Sequence, residues 1–121
     1  LVHTKTTKTN PGRRFYIHAT NVAAAMQFLL DNPPTNWVGD KYNIVGEKEV
    51  SNLEMAKLIA QVIDKPLRYE LVDFHSSRPG HDLRYALDGT KMRELGWKPS
   101  VDFENSLART VQWFLKHQEW L

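Results

Sequence analysis

The stretch Ser77–Pro99, S-R-P-G-H-D-L-R-Y-A-L-D-G-T-K-M-R-E-L-G-W-K-P, constrains this chain more than any other part of it. Pro79 fixes one φ and Gly80 accepts a positive one, so Arg78-Pro79-Gly80-His81-Asp82 must turn sharply with its polar side chains gathered. That is how a loop presents charge to a ligand. Downstream, Asp88 is placed to cap a short helix over Gly89–Leu95, which Gly96 stops and Trp97-Lys98-Pro99 closes off. The loop is therefore held at both ends.

The rest of the chain reads as short alternating elements. Leu1–Gly12, rich in Thr and Lys and ending in Asn10-Pro11-Gly12, is expected to be a mobile basic arm or an edge hairpin that leads into a turn. The main domain then covers residues 14–121, with 1–13 as its arm. Arg13–His18 is aromatic and β-favouring, and Thr20 or Asn21 is expected to cap a helix that runs to about Asp31. Val22, Ala25, Met26, Leu29 and Leu30 form that helix's apolar face, and Asn32-Pro33-Pro34-Thr35-Asn36 breaks it. Tyr42–Gly46 has the pattern of a buried strand. Ser51-Asn52-Leu53-Glu54 is a capping box that opens a helix to Asp64, with a strand expected over Leu67–Val72. A last helix begins near Asp102 and carries Phe103, Leu107, Val111, Phe114 and Leu115 on one side, with Lys116 suited to its C-terminal dipole. The fold class is α/β, or α+β for the piece taken alone, with about four helices and short strands.

A chain of 121 residues makes one domain with a modest core. It starts at Leu1, which is expected of a partial reading frame. No apolar run approaches the roughly 20 residues of a membrane span, and no signal-peptide pattern is present, so a cytoplasmic location is expected. The absence of Cys removes disulfides and thiolate sites, and the five His show no metal-ligand spacing, so no metal is expected. A formal charge of +2 does not by itself indicate nucleic acid.

Three segments carry a resemblance to a known family. R-P-G-H-D-x-R-Y-A-x-D followed by K-x-R-E-L-G-W-K-P is similar to the C-terminal signature of the extended short-chain dehydrogenases that act on nucleotide sugars, the NAD-dependent epimerase/dehydratase family, and within it to the dTDP-glucose 4,6-dehydratases. Arg14–Val22 resembles the family's arginine-aromatic segment, with Thr20 and Asn21 where acidic residues are usual. Tyr42–Asn52 resembles its Y-N-I-G-G segment, with Val45 replacing the first glycine. The resemblance implies a C-terminal substrate-binding portion without the Rossmann core. It also implies a lyase parent that uses NAD to oxidise the sugar at C4, loses water across C5 and C6 and returns the hydride to C6. By the same resemblance Arg14, Asn52 and Arg78 would contact the diphosphate and nucleoside side of the substrate, with Pro79, Gly80 and His81 completing the nucleotide-binding loop.

The chemistry asked of the arginines has its own physical reason. Diphosphate oxygens accept paired hydrogen bonds, and a planar guanidinium supplies donors in a matching fork that lysine lacks. Arg13 competes with Arg14 for this role, because adjacent strand residues point to opposite faces. His81 is read as a loop residue that hydrogen-bonds a neighbour, since no acid-base partner accompanies it. Asp82, Arg84 and Tyr85 are placed to brace the loop through charge and aromatic contact. Trp97, Trp113 and Trp120 are read as packing residues.

The chain has no G-x-x-G-x-x-G or G-x-G-x-x-G loop, and none of Tyr16, Tyr42, Tyr69 or Tyr85 is followed four residues later by lysine. It should therefore bind no NAD and hold no catalytic residue of its own, and alone it should not turn over. Its partners would be a nucleotide sugar and the absent Rossmann domain. The Tyr42–Val45 strand would add to that domain's parallel sheet, so the isolated chain is expected to self-associate through exposed edges and apolar faces. The rival readings are a portion of a related epimerase or decarboxylase, and a stand-alone binding module. Nucleic-acid binding through Lys5, Lys8, Arg13 and Arg14 is the weakest of these.

Overall fold

The computed structural model describes residues 1–4, 9–33, 35, 39–73 and 82–121. The loop residues Arg78, Pro79, Gly80 and His81 therefore lie outside the described part. Five short strands and four α-helices are seen among the described residues. In chain order they are β1 (Val2–Thr4), β2 (Arg13–Phe15), α1 (Ala19–Asp31), β3 (Glu49–Ser51), α2 (Asn52–Val62), β4 (Leu71–Asp73), β5 (Arg84–Tyr85), α3 (Thr90–Glu94) and α4 (Phe103–Lys116), with a 3₁₀ turn at Gln118–Trp120. This is the mixed α/β piece expected. No described helix is long and apolar enough to cross a membrane.

The strands form two separate sheets. β1 pairs in parallel with β4, Val2 facing Leu71 and Thr4 facing Asp73. The other sheet has the order β3-β2-β5, antiparallel on one side of β2 and parallel on the other. The segment expected as a mobile arm or an edge hairpin is packed at its start: Val2 and Thr4 are buried, and the Thr4 hydroxyl donates to the Val72 carbonyl at 3.2 Å. A parallel ladder supplies the burial that composition alone did not reveal. The antiparallel bridge between Thr4 and Pro11 then brings the chain back towards β2.

The helices start and stop for local reasons. α1 is capped by His18, whose Nδ1 accepts from the Thr20 amide at 3.1 Å, and not by Thr20 or Asn21. It ends ahead of Pro33, which pushes Asn32 out of the helical region. The capping box of α2 is present: the Ser51 hydroxyl accepts from the Glu54 amide at 3.1 Å, and the Glu54 carboxylate accepts from the Ser51 amide at 2.8 Å. These bonds hold the Glu54 carboxyl below its ordinary range. Both α2 and α3 close with paired reversed bonds, Lys65 N to Ala60 O with Asp64 N to Gln61 O, and Trp97 N to Met92 O with Gly96 N to Arg93 O. The residue at the bend takes positive φ in each case, 94° at Gly96 and 51° at Asp64. The N-cap of α3 is Gly89 and not Asp88, because the helix starts one residue later than expected; Asp88, just before it, accepts from the Thr90 amide and hydroxyl.

The main core is Ala25, Met92 and Trp97, with Ile17, Phe28, Leu29, Tyr42 and Ile44 packed around it. Tyr42 and Ile44 reach it from one side of residues 42–46, as a strand's alternate side chains would, yet this segment is not a strand. Its Asn43 side chain donates to Asp88 O, and Gly46 presses so closely on the Tyr16 backbone that a Cβ would lie 2.1 Å from the Tyr16 carbonyl. A strand needs a neighbour to complete its ladder, and none is offered here among the described residues. Two further readings change. Trp97 packs as expected, but Trp113 and Trp120 are 44% and 70% exposed, Trp113 stacking on His117 instead. Met26 and Leu30 of α1 are also exposed, at 59% and 67%.

Candidate functional site

β2 sorts its two arginines onto opposite faces. Arg13 sits beside Arg84 in the parallel register, and Glu49 of β3 lies between their guanidiniums, 3.5 Å from Arg13 Nε and 2.5 Å from Arg84 Nε. The hydrogen bond from Arg84, followed by the charges of both arginines, lowers the Glu49 carboxyl below its ordinary value. Arg14 sits beside Tyr85 in the next register position, its guanidinium carbon 4.2 Å from the ring centroid. The ring's electron-rich face favours the cation there.

Arg14 is tied to the backbone as well. Its Nη1 donates to Arg13 O at 2.7 Å and to Leu83 O at 3.1 Å, and its Nη2 reaches Asp82 O at 3.4 Å. These bonds fasten β2 to Asp82 and Leu83. Among the described residues, no carboxylate pairs with Arg14, so its charge is solvated by dipoles and a ring and is not cancelled. One side of it opens on a cavity of about 310 Å³ walled also by Phe15, Ile44, Val45, Arg84, Tyr85 and Leu87, which Asn52 does not line.

Asn52 comes to the same place from α2. Its backbone amide donates to Gly12 O at 2.8 Å, and its side-chain Oδ1 accepts from the Tyr16 hydroxyl at 2.7 Å. Gly12 is the point of convergence: a Cβ there would lie 3.1 Å from Asn52 Nδ2, 3.2 Å from Leu83 O and 3.7 Å from Arg14 Nη1. Burial raises the Tyr16 pKa and the Arg14 charge partly offsets it, which places hydroxyl and guanidinium in one electrostatic neighbourhood. The structure thus brings together Arg14 and Asn52, two of the expected site residues, and leaves Arg13 on the other face. Sequence reading missed Tyr16 and Gly12.

Asn21 is the other residue whose part was not foreseen. It is buried, and its Oδ1 accepts from Ser100 N, Ser100 Oγ and Val101 N while its Nδ2 donates to Val101 O at 2.9 Å. An aspartate could not make the last bond. Asn21 ties α1 to the turn before α4, and the amide is fitted to that turn.

The sequence profile of the GDP-mannose 4,6 dehydratase family matches residues 6–110. The chain belongs to that family. It is 45% identical over 93 residues to the dTDP-glucose 4,6-dehydratase of Neisseria meningitidis, a match covering 69% of this chain and 26% of the relative. The corresponding Escherichia coli protein is 40% identical over 92 residues, covering 68% and 25%. A crystal structure of dTDP-glucose 4,6-dehydratase from Bacillus anthracis in complex with NAD superposes with a TM-score of 0.72 at 35% identity, over 90% of this chain and 33% of that one. The chain therefore spans about a quarter of the length of the curated relatives it matches.

NAD is named for that Bacillus anthracis structure, so the residues here were matched against its needs. A dinucleotide pyrophosphate takes free amides at a helix start across a glycine-rich turn. Each helix start described here is closed by its own chain, through His18, Ser51 with Glu54, Asp88, and Asp102, whose carboxylate accepts from Asn105 N. None of the four follows a strand through a glycine-rich turn. The described helix starts therefore do not fit the pyrophosphate.

Proposed function

We propose that this chain is the C-terminal, nucleotide-sugar-binding portion of a cytoplasmic dTDP-glucose 4,6-dehydratase-like enzyme. In that reading the remainder of the enzyme holds NAD and the proton-moving residues, and this portion holds the diphosphate. The observation that carries it is the meeting of Arg14 and Asn52 at Gly12, an uncancelled guanidinium beside an amide donor. A diphosphate is a dense array of acceptors, and paired donors of this kind are what it binds. Arg14 also holds the carbonyls of Asp82 and Leu83, next in sequence to the Arg78–His81 turn, which is proposed to add Arg78 as a second fork.

The test is titration of the 121-residue chain with dTDP, with GDP as the competing nucleotide. Binding of dTDP that weakens by about 1.5 to 3 kcal/mol, roughly 10- to 150-fold, in Arg14→Ala and in Arg78→Ala is the expected outcome for a charged hydrogen-bonding group. An unchanged Kd in both variants rejects the assignment. The exposed Met26 and Leu30 of α1 support the further reading that the chain alone self-associates. A molecular mass that stays monomeric across a wide concentration range in sedimentation would dismiss it.

A further inference from the structure

The corner where β2 runs into α1 is closed by a titratable side chain. His18 is the N-cap of α1, and its Nδ1 accepts from the Thr20 amide at 3.1 Å. A ring nitrogen accepts only while it carries no proton, so this bond belongs to the neutral ring with its proton on Nε2. The caps of the other long helices differ. Ser51 and Asp102 close α2 and α4 with a hydroxyl and a carboxylate, which go on accepting throughout the range in which imidazole titrates. The surroundings of His18 offer an imidazolium no counter-charge among the described residues. The first turn of α1 holds no acidic residue, and no carboxylate lines the two cavities that His18 borders. The titratable or charged groups that do line them are Tyr16, next to β2, and Arg109 of α4, while α2 presents Met55. Asp102, at the head of α4, is already engaged by the amide and side chain of Asn105.

We propose that the β2–α1 corner is a proton-sensitive joint: protonation of His18 takes away the acceptor that closes α1 and leaves a cation at the helix end where the backbone dipole is positive. Lost bond and misplaced charge act in the same direction. The folded chain uses the ring without its second proton, and the unfolded chain has no such need. Unfolding therefore takes up a proton, and stability falls as pH falls through the imidazole range. The effect has a path into the rest of the fold. Asn21, in the same first turn, holds Ser100 and Val101 ahead of α4, and α1 carries Ala25, Phe28 and Leu29 to the core. The joint works in this way whatever the Arg14 face binds.

The experiment follows thermal unfolding of the 121-residue chain, of His18→Asn and of His18→Ala between about pH 8 and about pH 5.5, above the range in which carboxylates titrate. His3, His75, His81 and His117 are common to all three proteins, so the differences between them report His18. Asparagine caps well and keeps its acceptor at every pH. Across the range the parent's melting temperature is therefore expected to drop by about 3 to 6 °C more than that of His18→Asn, the value of one cap in a domain of this size. Alanine has no acceptor, so His18→Ala is expected to melt below the parent at the alkaline end and to approach it at the acid end. The ¹⁵N shifts of the imidazole nitrogens give a readout on the parent alone, and they are expected to show Nδ1 unprotonated at the alkaline end. Parallel pH curves for the parent and His18→Asn overturn the proposal. So does a ring that carries its proton on Nδ1, or a His18→Ala chain as stable as the parent at the alkaline end.

Discussion

Arg13 and Arg14 leave the same strand one residue apart, and the two faces of the sheet treat their charge differently. On one face Glu49 sits between Arg13 and Arg84, so the guanidiniums meet a carboxylate. On the other, Arg14 is met by carbonyl dipoles and the face of Tyr85, while Tyr16 and Asn52 stand beside it. The first arrangement completes a lattice and the second holds a cation in place without neutralising it. A charge that the protein orients but does not cancel is available to something else, and this difference, more than the presence of arginine, is why the Arg14 face is the one proposed to bind.

The sharpest way to break the comparison is to exchange fork for point charge on each face. Arg14→Lys keeps the charge but gives up the planar donors that reach Leu83 and Asp82, and it is expected to lose about 1 to 2 kcal/mol of dTDP binding, in keeping with the net worth of charged hydrogen bonds. Arg13→Lys, on the closed face, is expected to leave the affinity within twofold. Equal losses on the two faces, measured by calorimetry, would erase the distinction drawn between them.

Next in size is the opening of the closed face. Glu49 is held below its ordinary pKa of 4.5, chiefly by the hydrogen bond from Arg84. A carboxyl with a depressed folded-state pKa adds stability that is fully present above its unfolded value and is lost as pH falls through the folded one. Glu49 therefore supports the fold at neutral pH, and that support is lost progressively as pH falls below its ordinary value and through the lower folded-state one. Glu49→Gln leaves two guanidiniums side by side, so its melting temperature should fall at pH 7, recover in part with added salt, and change less than the parent's between pH 7 and pH 3.5. A melting temperature that is equally salt-independent in both proteins would show that the carboxylate does no such work.

How far this arrangement could be read from the sequence depends on the range of the interaction. The capping box at Ser51 and Glu54 and the Gly96 stop are contacts within a few residues, and they were legible because their partners are fixed by spacing. The opposition of Arg13 and Arg14 was legible from strand alternation alone. The same alternation puts Tyr16 on Arg14's side, a signal that was present but not followed. What was not legible was long-range: the pairing of Val2–Thr4 with Leu71–Asp73, and the grip of Asn21 on Ser100 and Val101, depend on partners nearly 70 and 80 residues away. Residues 42–46 failed for a related reason. Their composition is that of a strand, but a strand is a property of two segments, and hydrophobicity reports only one of them.

The smallest expected effect concerns the ring under Arg14, and it separates orientation from charge. Tyr85 faces Arg14 across the parallel register with no ion pair between them, so its contribution is the attraction of the ring face for the guanidinium and the flat surface that keeps the fork in plane. At a partly exposed site such contacts are worth about 0.5 to 1 kcal/mol. Tyr85→Phe retains the ring and should lose less of both urea midpoint and dTDP affinity than Tyr85→Leu. Tyr85→Leu removes it and should lose about 0.5 to 1 kcal/mol of stability, as judged from the midpoint at an unchanged denaturant slope. If Phe proved as damaging as Leu, the ring's face would not be what holds Arg14, and its orientation would have to come from the Leu83 and Asp82 carbonyls alone. In that case the Arg14 face would differ from the Arg13 face only in lacking a carboxylate among the described residues.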